Sequence, residues 1–198
     1  MTQLLRLGLI KKDGKSSNIF SAICPDLYFE STLKPSQFVD MIWTNYLINY
    51  PNNNAVNGQI FELIIASVLL REQIKPFHRQ AKLAFVPGID FDMILITSKQ
   101  QLISLSLKTS FRERYKQADL EAMALKNVHR KAGCYLITLE LTEAQFVKTK
   151  IETGEVQFLD DVIAAKTPNF DDLVYLLSME TYAENFDLKM LAGGILIN

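Results

Sequence analysis

Acidic and basic side chains alternate with apolar ones along two neighbouring segments of the chain. In residues 89–97, the alternation of an extended strand places Asp90 and Asp92 on one face, and in residues 102–108 it does the same for Ser106 and Lys108. If the two polar faces coincide, one or two carboxylates meet an ammonium group. Carboxylate oxygens suit Mg²⁺, and a neighbouring lysine can orient or help to deprotonate an attacking water. The pattern therefore indicates metal-assisted hydrolysis.

These residues also have a plainer interpretation. Asp90 and Asp92 can be ordinary acids at a strand edge, and Lys108 a solvated strand end. The same alternation places Phe91, Met93 and Leu95 together on the opposite, apolar face.

The segment after Lys108 favours the chemical interpretation. Residues 111–129 are rich in helix formers, and helical spacing puts Ala118, Glu121, Leu125 and Val128 on one stripe. Glu121 is thus an acid on a stripe that should pack toward the sheet. An unpaired carboxylate there is costly, so Glu121 needs a cation, either a metal ion or Lys108.

Taken together, these residues resemble the PD-(D/E)xK nuclease superfamily, and type II restriction endonucleases in particular. That pattern has an acid at a strand start and then acid-x-Lys on the next strand, whereas Ser106 stands here where the second acid is expected. In one branch of restriction enzymes the acid has moved to the following helix, and Ser106, Lys108 and Glu121 fit that variant. A small Ser106 leaves room for Glu121 to reach the same metal. The resemblance favours Asp92 over Asp90 as the principal ligand.

The resemblance extends upstream of the acidic strand. A helix with Gly-x-x-Phe-Glu often precedes that strand in the superfamily, and Gly58, Phe61 and Glu62 match it. The resemblance implies that Glu62 joins the metal site or lies next to it. The alternative is an ordinary helix acid that pairs with a nearby base such as Arg71 or Lys75.

The densest basic segment, residues 108–116, follows the acid-lysine pair directly. At a helix N-terminus beside the site, its backbone N–H groups and side chains can hold phosphate. The alternative is a solvated helix face on which Glu113 and its neighbours balance the arginines. The residues predicted to contact DNA are Thr109, Ser110, Arg112, Arg114 and Lys116.

The remaining elements predict an α/β fold, a mixed β-sheet flanked by helices with a restriction-endonuclease-like core. Asn57 is expected to cap a helix that begins at Gly58. The tail, residues 190–197, is either a terminal strand or part of a dimer interface. We expect a single nuclease domain, residues 1–198, with its catalytic core at about residues 57–140. The other predicted segments are extended at 76–80, 82–86, 133–139 and near 156–159, and helical at 142–153 and 171–179.

Bulk properties exclude several other classes of protein. With 198 residues, 48% of them apolar, the chain can bury one sizeable core. A formal charge of −1 argues against an indiscriminate DNA coat but permits a local basic groove. Cys24 and Cys134 are expected to be free thiols, His78 and His129 are too isolated for a zinc site, and no apolar run reaches membrane-span length.

The resemblance implies a Mg²⁺-dependent type II restriction endonuclease. Such an enzyme would cut double-stranded DNA at a specific short site, as a homodimer, in the cytoplasm of a prokaryote and away from membranes. Two alternatives keep the fold. One is a repair or phage-defence nuclease without strict sequence specificity, and the other is an inactive DNA-binding module in which Ser106 marks a lost catalytic acid.

Overall fold

One mixed β-sheet runs through the protein. The computed structural model describes residues 2–29, 31–110, 112–185 and 191–198. Within them, six strands lie in the order β5-β4-β3-β2-β1-β6. Strands β3, β4 and β5 run parallel to one another. The pairs β3–β2, β2–β1 and β1–β6 are antiparallel. The strands are β1 (Phe77–Leu83), β2 (Phe91–Ile96), β3 (Leu102–Lys108), β4 (Gly133–Thr138), β5 (Asp161–Ala164) and β6 (Leu191–Ile197).

Helices cover both faces of this sheet, as the α/β prediction requires. One apolar cluster joins α2, α3, α4 and α7 to one face, and a second joins α5 and α6 to the other. The helices of the described residues are α1 (Gln3–Arg6), α2 (Lys15–Ile23), α3 (Pro35–Asn49), α4 (Asn54–Arg71), α5 (Tyr115–Val128), α6 (Leu141–Glu152) and α7 (Pro168–Ser178).

The predicted hairpin is confirmed as β2 and β3. Met93 pairs with Leu105, and Ile94 pairs with Ser104, so the two predicted polar faces do coincide. The alternation is wrong at Phe91, which packs in the cluster of Ile94 rather than that of Met93. The neighbouring strand β1 is irregular there: Gln80 has a φ of 48°, between the paired residues of the β1–β2 ladder.

Helix α4 begins earlier than predicted. The side chain of Asn53, not of Asn57, caps it by accepting hydrogen bonds from the backbone N–H groups of Ala55 and Val56 at 3.1 and 3.2 Å. Asn57 instead lies buried inside the helix, where its Oδ1 accepts a hydrogen bond of 2.7 Å from the Tyr46 hydroxyl. Because twelve of its residues are buried, α4 is held by the core as well as by its cap.

Two boundary predictions fail for physical reasons. Residues 156–159 are not a strand, because the Asp119 carboxylate accepts hydrogen bonds from the N–H groups of Phe158 and Leu159, and the strand follows as β5. Helix α5 starts at Tyr115, and the predicted stripe is completed by Tyr115 and Ala122, while Val128 is exposed. Phe111, with which that helix was predicted to begin, lies outside the described residues.

The tail forms the edge strand β6, which pairs antiparallel with β1; Met190 of the predicted tail lies outside the described residues. The close approach of β6 to β1 requires a glycine at position 194. Gly194 has a φ of 145°, and a Cβ at this position would lie 3.2 Å from the Arg79 carbonyl oxygen. Cys24 and Cys134 are confirmed as free, buried thiols. No described helix is long and apolar enough to cross a membrane.

Candidate active site

Asp92 and Lys108 form the centre of the candidate site. Nζ of Lys108 lies 3.4 Å from Oδ2 of Asp92, and the same oxygen accepts a hydrogen bond of 2.7 Å from the backbone N–H of Leu107. Both side chains are mostly buried, with 17% and 21% of their surface exposed. The hairpin therefore fixes the carboxylate and the ammonium group against each other, as the sequence predicted.

Ser106 lies one strand step beyond the Met93–Leu105 pair, beside Asp92. Its side chain is buried, and its Oγ has no hydrogen-bond partner within the described residues. An unpartnered buried hydroxyl is unusual, since such groups are normally satisfied by protein or water. The position is small and polar, which is what a site shared with a neighbouring carboxylate needs.

Glu121 approaches this centre from helix α5. Ala118, Ala122 and Leu125 anchor the helix in the core, and Glu121 lies at the border of that stripe. Its Oε1 accepts a hydrogen bond of 2.8 Å from Nε2 of Gln117. Burial raises the pKa of the Glu121 carboxyl, Lys108 opposes that shift, and Asp92 adds to it. Glu121 is thus within electrostatic reach of both hairpin residues.

Glu62 reaches the same region from helix α4. It pairs with a base, as the helix-acid alternative predicted, but that base is Arg79 and not Arg71 or Lys75; Oε2 of Glu62 lies 3.2 Å from Nη2 of Arg79. Burial, and after it repulsion by Asp92, raises the pKa of Glu62 despite that partner. Two carboxylates, from α4 and β2, are therefore held close enough to repel each other.

Arg79 is a site residue that sequence reasoning missed. It is 4% exposed, and its Nη1 donates a hydrogen bond to the Leu9 carbonyl while Nη2 binds Glu62. A buried guanidinium with an acidic partner is unusual in a strand, and the only signal in the sequence was an arginine inside the short extended segment 76–80. That segment was predicted, but the partner of its arginine was not.

Asp90 has a different environment from Asp92. It lies on the surface, with 64% of its side chain exposed, and its Oδ1 is 3.4 Å from Nζ of Lys82. It still lines the open groove of about 640 Å³ that contains Glu62 and Asp92. The structure thus brings Asp92, not Asp90, into contact with Lys108.

The predicted DNA-binding segment is only partly arranged as expected. Helix α5 begins only at Tyr115, near the end of this segment, so its N-terminus does not directly follow Lys108. Arg112 and Arg114 are exposed, and Nη2 of Arg114 donates to the Ser110 carbonyl at 2.5 Å. Glu113 is paired with Lys116, and not with an arginine as the solvated-face alternative had it, and Thr109 and Ser110 are partly exposed.

The histidines have structural roles. His78 is buried in β1, its Nε2 lies 2.7 Å from the Glu184 carbonyl oxygen, and burial lowers its pKa. Nε2 of His129 lies 3.0 Å from the Gln100 carbonyl oxygen. Both contacts are to backbone carbonyl oxygens.

Comparison with known proteins decides the fold. No protein-family model matches the sequence, and no curated protein is significantly similar to it. Among solved structures, the chain is similar to a protein in a structure described as "Restriction endonuclease PspGI-substrate DNA complex". The TM-score is 0.59 at 14% sequence identity, over 83% of this chain and 87% of that one.

The chain has a restriction-endonuclease fold. The mixed sheet, with helices on both faces, matches that architecture over most of both chains. At this level of identity the similarity establishes the fold alone, so the chemistry has to be argued from the side chains of this chain.

Within this restriction-endonuclease fold, the donor set fits Mg²⁺ in its chemistry. The nearby groups are carboxylates and a hydroxyl, and Mg²⁺ prefers oxygen ligands, often one or two carboxylates together with water and substrate phosphate. Among the described residues, no three His, Cys, Asp or Glu side chains are gathered closely enough to hold a metal ion by themselves. Two carboxylates with burial-raised pKa values, those of Glu62 and Glu121, flank Asp92 and would gain from a cation.

Proposed function

We propose that this protein is a Mg²⁺-dependent type II restriction endonuclease that hydrolyses phosphodiester bonds in double-stranded DNA at a specific short site. The observation that carries the proposal is the contact of 3.4 Å between Lys108 and Asp92, with Glu121 in electrostatic reach of both. The similar solved protein is a restriction endonuclease bound to substrate DNA, which supports DNA as the substrate.

In this proposal Asp92 and Glu121 hold Mg²⁺, with Glu62 beside them. The bound ion would supply positive charge against the scissile phosphate and favour ionisation of a coordinated water. Lys108 would orient the attacking water by a hydrogen bond from its ammonium group, and the proton of that water would pass to bulk solvent. Asp92 holds the ammonium group in place, because the Leu107 N–H and Lys108 Nζ bind the same carboxylate oxygen.

The open groove accounts for substrate access. Asp92 and Glu62 lie on its wall, so a phosphate of the DNA backbone can approach the carboxylates without a large rearrangement of the sheet. We further propose that two copies of the chain act as a homodimer in the prokaryotic cytoplasm, because cutting both strands at a symmetric site needs two active sites.

Digestion of mixed plasmid and phage DNA tests the proposal. Purified protein with MgCl₂ should give discrete fragments whose sequenced ends share one short motif, and EDTA should stop the reaction. Smears or random nicks would instead indicate a repair or phage-defence nuclease. DNA binding without cleavage in any divalent ion would indicate the inactive module.

A further inference from the structure

A cluster of lysines lies at the beginning of helix α2. We call residues 10–15 the lysine loop, which carries Lys11, Lys12 and Lys15, all exposed. The one acid in this segment, Asp13, binds Thr2 and none of these lysines: its Oδ1 accepts a hydrogen bond of 2.8 Å from the Thr2 hydroxyl. Positive charge is therefore concentrated on this loop although the chain as a whole has a net charge of −1.

These lysines differ from Lys82 and Lys108, the lysines nearer the site, in their ion pairing. Lys82 and Lys108 are bound to Asp90 and Asp92. By contrast, none of the three lysines of the loop forms an ion pair within the part of the chain that the structure describes. Their charge is thus open to an external anion.

The lysine loop lies on the same surface as the candidate active site. It lines a cavity of about 370 Å³, and the active-site groove of about 640 Å³ shares Lys11, Gln80 and Ile195 with that cavity. The two cavities therefore adjoin along these three residues. The lysines line the first cavity, and Glu62 and Asp92 line the second.

The loop is held in place at both ends. On its N-terminal side, the carbonyl of Leu9 accepts a hydrogen bond from buried Arg79, the residue that also binds Glu62. On its C-terminal side, the Ser16 hydroxyl donates a hydrogen bond of 2.5 Å to Oε1 of Gln59 on α4. Because the backbone is already fixed, binding an anion there orders only the lysine side chains.

We propose that the lysine loop binds backbone phosphates of the DNA duplex next to the phosphate that is cut. The inference rests on the proposed function, since it assumes that a DNA strand lies along the groove past Asp92. Lys11, Lys12 and Lys15 then contact phosphates farther along the same duplex. The contacts are to the backbone, so they position the DNA without reading its sequence.

Salt-dependent DNA binding tests this proposal. The parent is the Lys108→Ala variant in MgCl₂, and the probe is a labelled duplex of mixed sequence, titrated at several salt concentrations. Replacing Lys11, Lys12 and Lys15 by Ala should reduce the slope of log Kd against log salt by about 0.9 for each phosphate that the protein no longer neutralises. Affinity at low salt should fall at least about tenfold.

A matched control removes the same charge at the far end of the hairpin. Lys99 lies in the β2–β3 turn, and Arg130 and Lys131 lie beside that turn, where Gln101 Nε2 donates to the Lys131 carbonyl at 2.8 Å. Replacing these three by Ala should leave the slope unchanged. The melting temperatures of both triple variants should match that of the parent, because all six side chains are exposed.

The outcomes separate the two proposals. An unchanged slope in the lysine-loop variant, or an equal reduction of slope in the control, would overturn the role of the loop while the parent still binds DNA. A parent that binds no DNA under any of these conditions would overturn the proposed function itself.

Discussion

Asp92 Oδ2 receives two donors at once, the backbone N–H of Leu107 at 2.7 Å and Nζ of Lys108 at 3.4 Å. The residue that anchors the carboxylate is therefore the chain neighbour of the lysine that faces it. One consequence is that the carboxylate keeps its backbone hydrogen bond when the lysine side chain is removed. Loss of Lys108 should thus alter chemistry more than structure.

Replacing Lys108 by Ala should lower the rate of DNA cleavage by about 10²–10³-fold, the usual cost of removing one pre-organised donor from a reaction centre. DNA binding should change little, because the exposed basic residues remain. Cleavage is measured on plasmid DNA and binding by fluorescence anisotropy. Lys99→Ala, in the turn at the other end of the hairpin, is the control and should cut normally. Normal cutting by the Lys108 variant would exclude the proposed site.

Two substitutions to Asn distinguish the roles of Asp90 and Asp92 in cleavage. Asp92→Asn should abolish cleavage because it removes charge beside Lys108. Asp90→Asn should keep the cleavage rate within about twofold of the wild-type rate. The free energy of unfolding should change by no more than about 1 kcal/mol, because the Asp90–Lys82 pair is exposed to solvent. The reverse pattern of activities would place the metal at Asp90 instead of Asp92.

Glu121→Gln should abolish cleavage and yet raise the melting temperature at neutral pH. Burial raises the pKa of Glu121, so its ionised form disfavours the folded state, and stability is lost as the pH rises through that pKa. Gln keeps the hydrogen-bonding position beside Gln117 and carries no charge. Site residues that carry such a cost are common in enzymes.

The predicted stabilisation by Glu121→Gln is tested with a series of melting curves from acidic to neutral pH. The advantage of the Gln variant should vanish below the ordinary carboxyl pKa of about 4.3, where the wild-type side chain is protonated in both states. Adding MgCl₂ at neutral pH should raise the melting temperature of the wild type more than that of the variant. A variant less stable than wild type at neutral pH would contradict the argument.

The sequence predicts those parts of the site that depend on local spacing. The hairpin, its polar face and the helix bearing Glu121 all follow from periodicities of two and 3.6 residues. The Arg79–Glu62 pair does not, because it depends on which helix crosses which strand. The position of the lysine loop beside the groove does not follow from the sequence either, because it depends on contacts with α4 and β1, which are distant in the chain. At Phe91 the alternation fails where the neighbouring strand is irregular at Gln80.

Arg79 should be the residue on which the stability of this region depends most. Replacing it by Met leaves the mostly buried Glu62 carboxylate without its cation and still close to Asp92. Breaking a buried pair from one side typically costs about 3–5 kcal/mol. Glu62→Gln alone should also be destabilising, because it leaves the buried Arg79 guanidinium without its anion.

The double variant, Arg79→Met with Glu62→Gln, separates an ion-pair effect from a packing effect. If the destabilisation of the Arg79 variant comes from the unpaired carboxylate, the double variant should recover at least about 1 kcal/mol of unfolding free energy in urea. Additive effects would mean that Arg79 stabilises the fold through its hydrogen bond to the Leu9 carbonyl and its packing instead. The same variants report on the lysine loop, since removing the hydrogen bond to Leu9 should weaken DNA binding even when Glu62 is neutral.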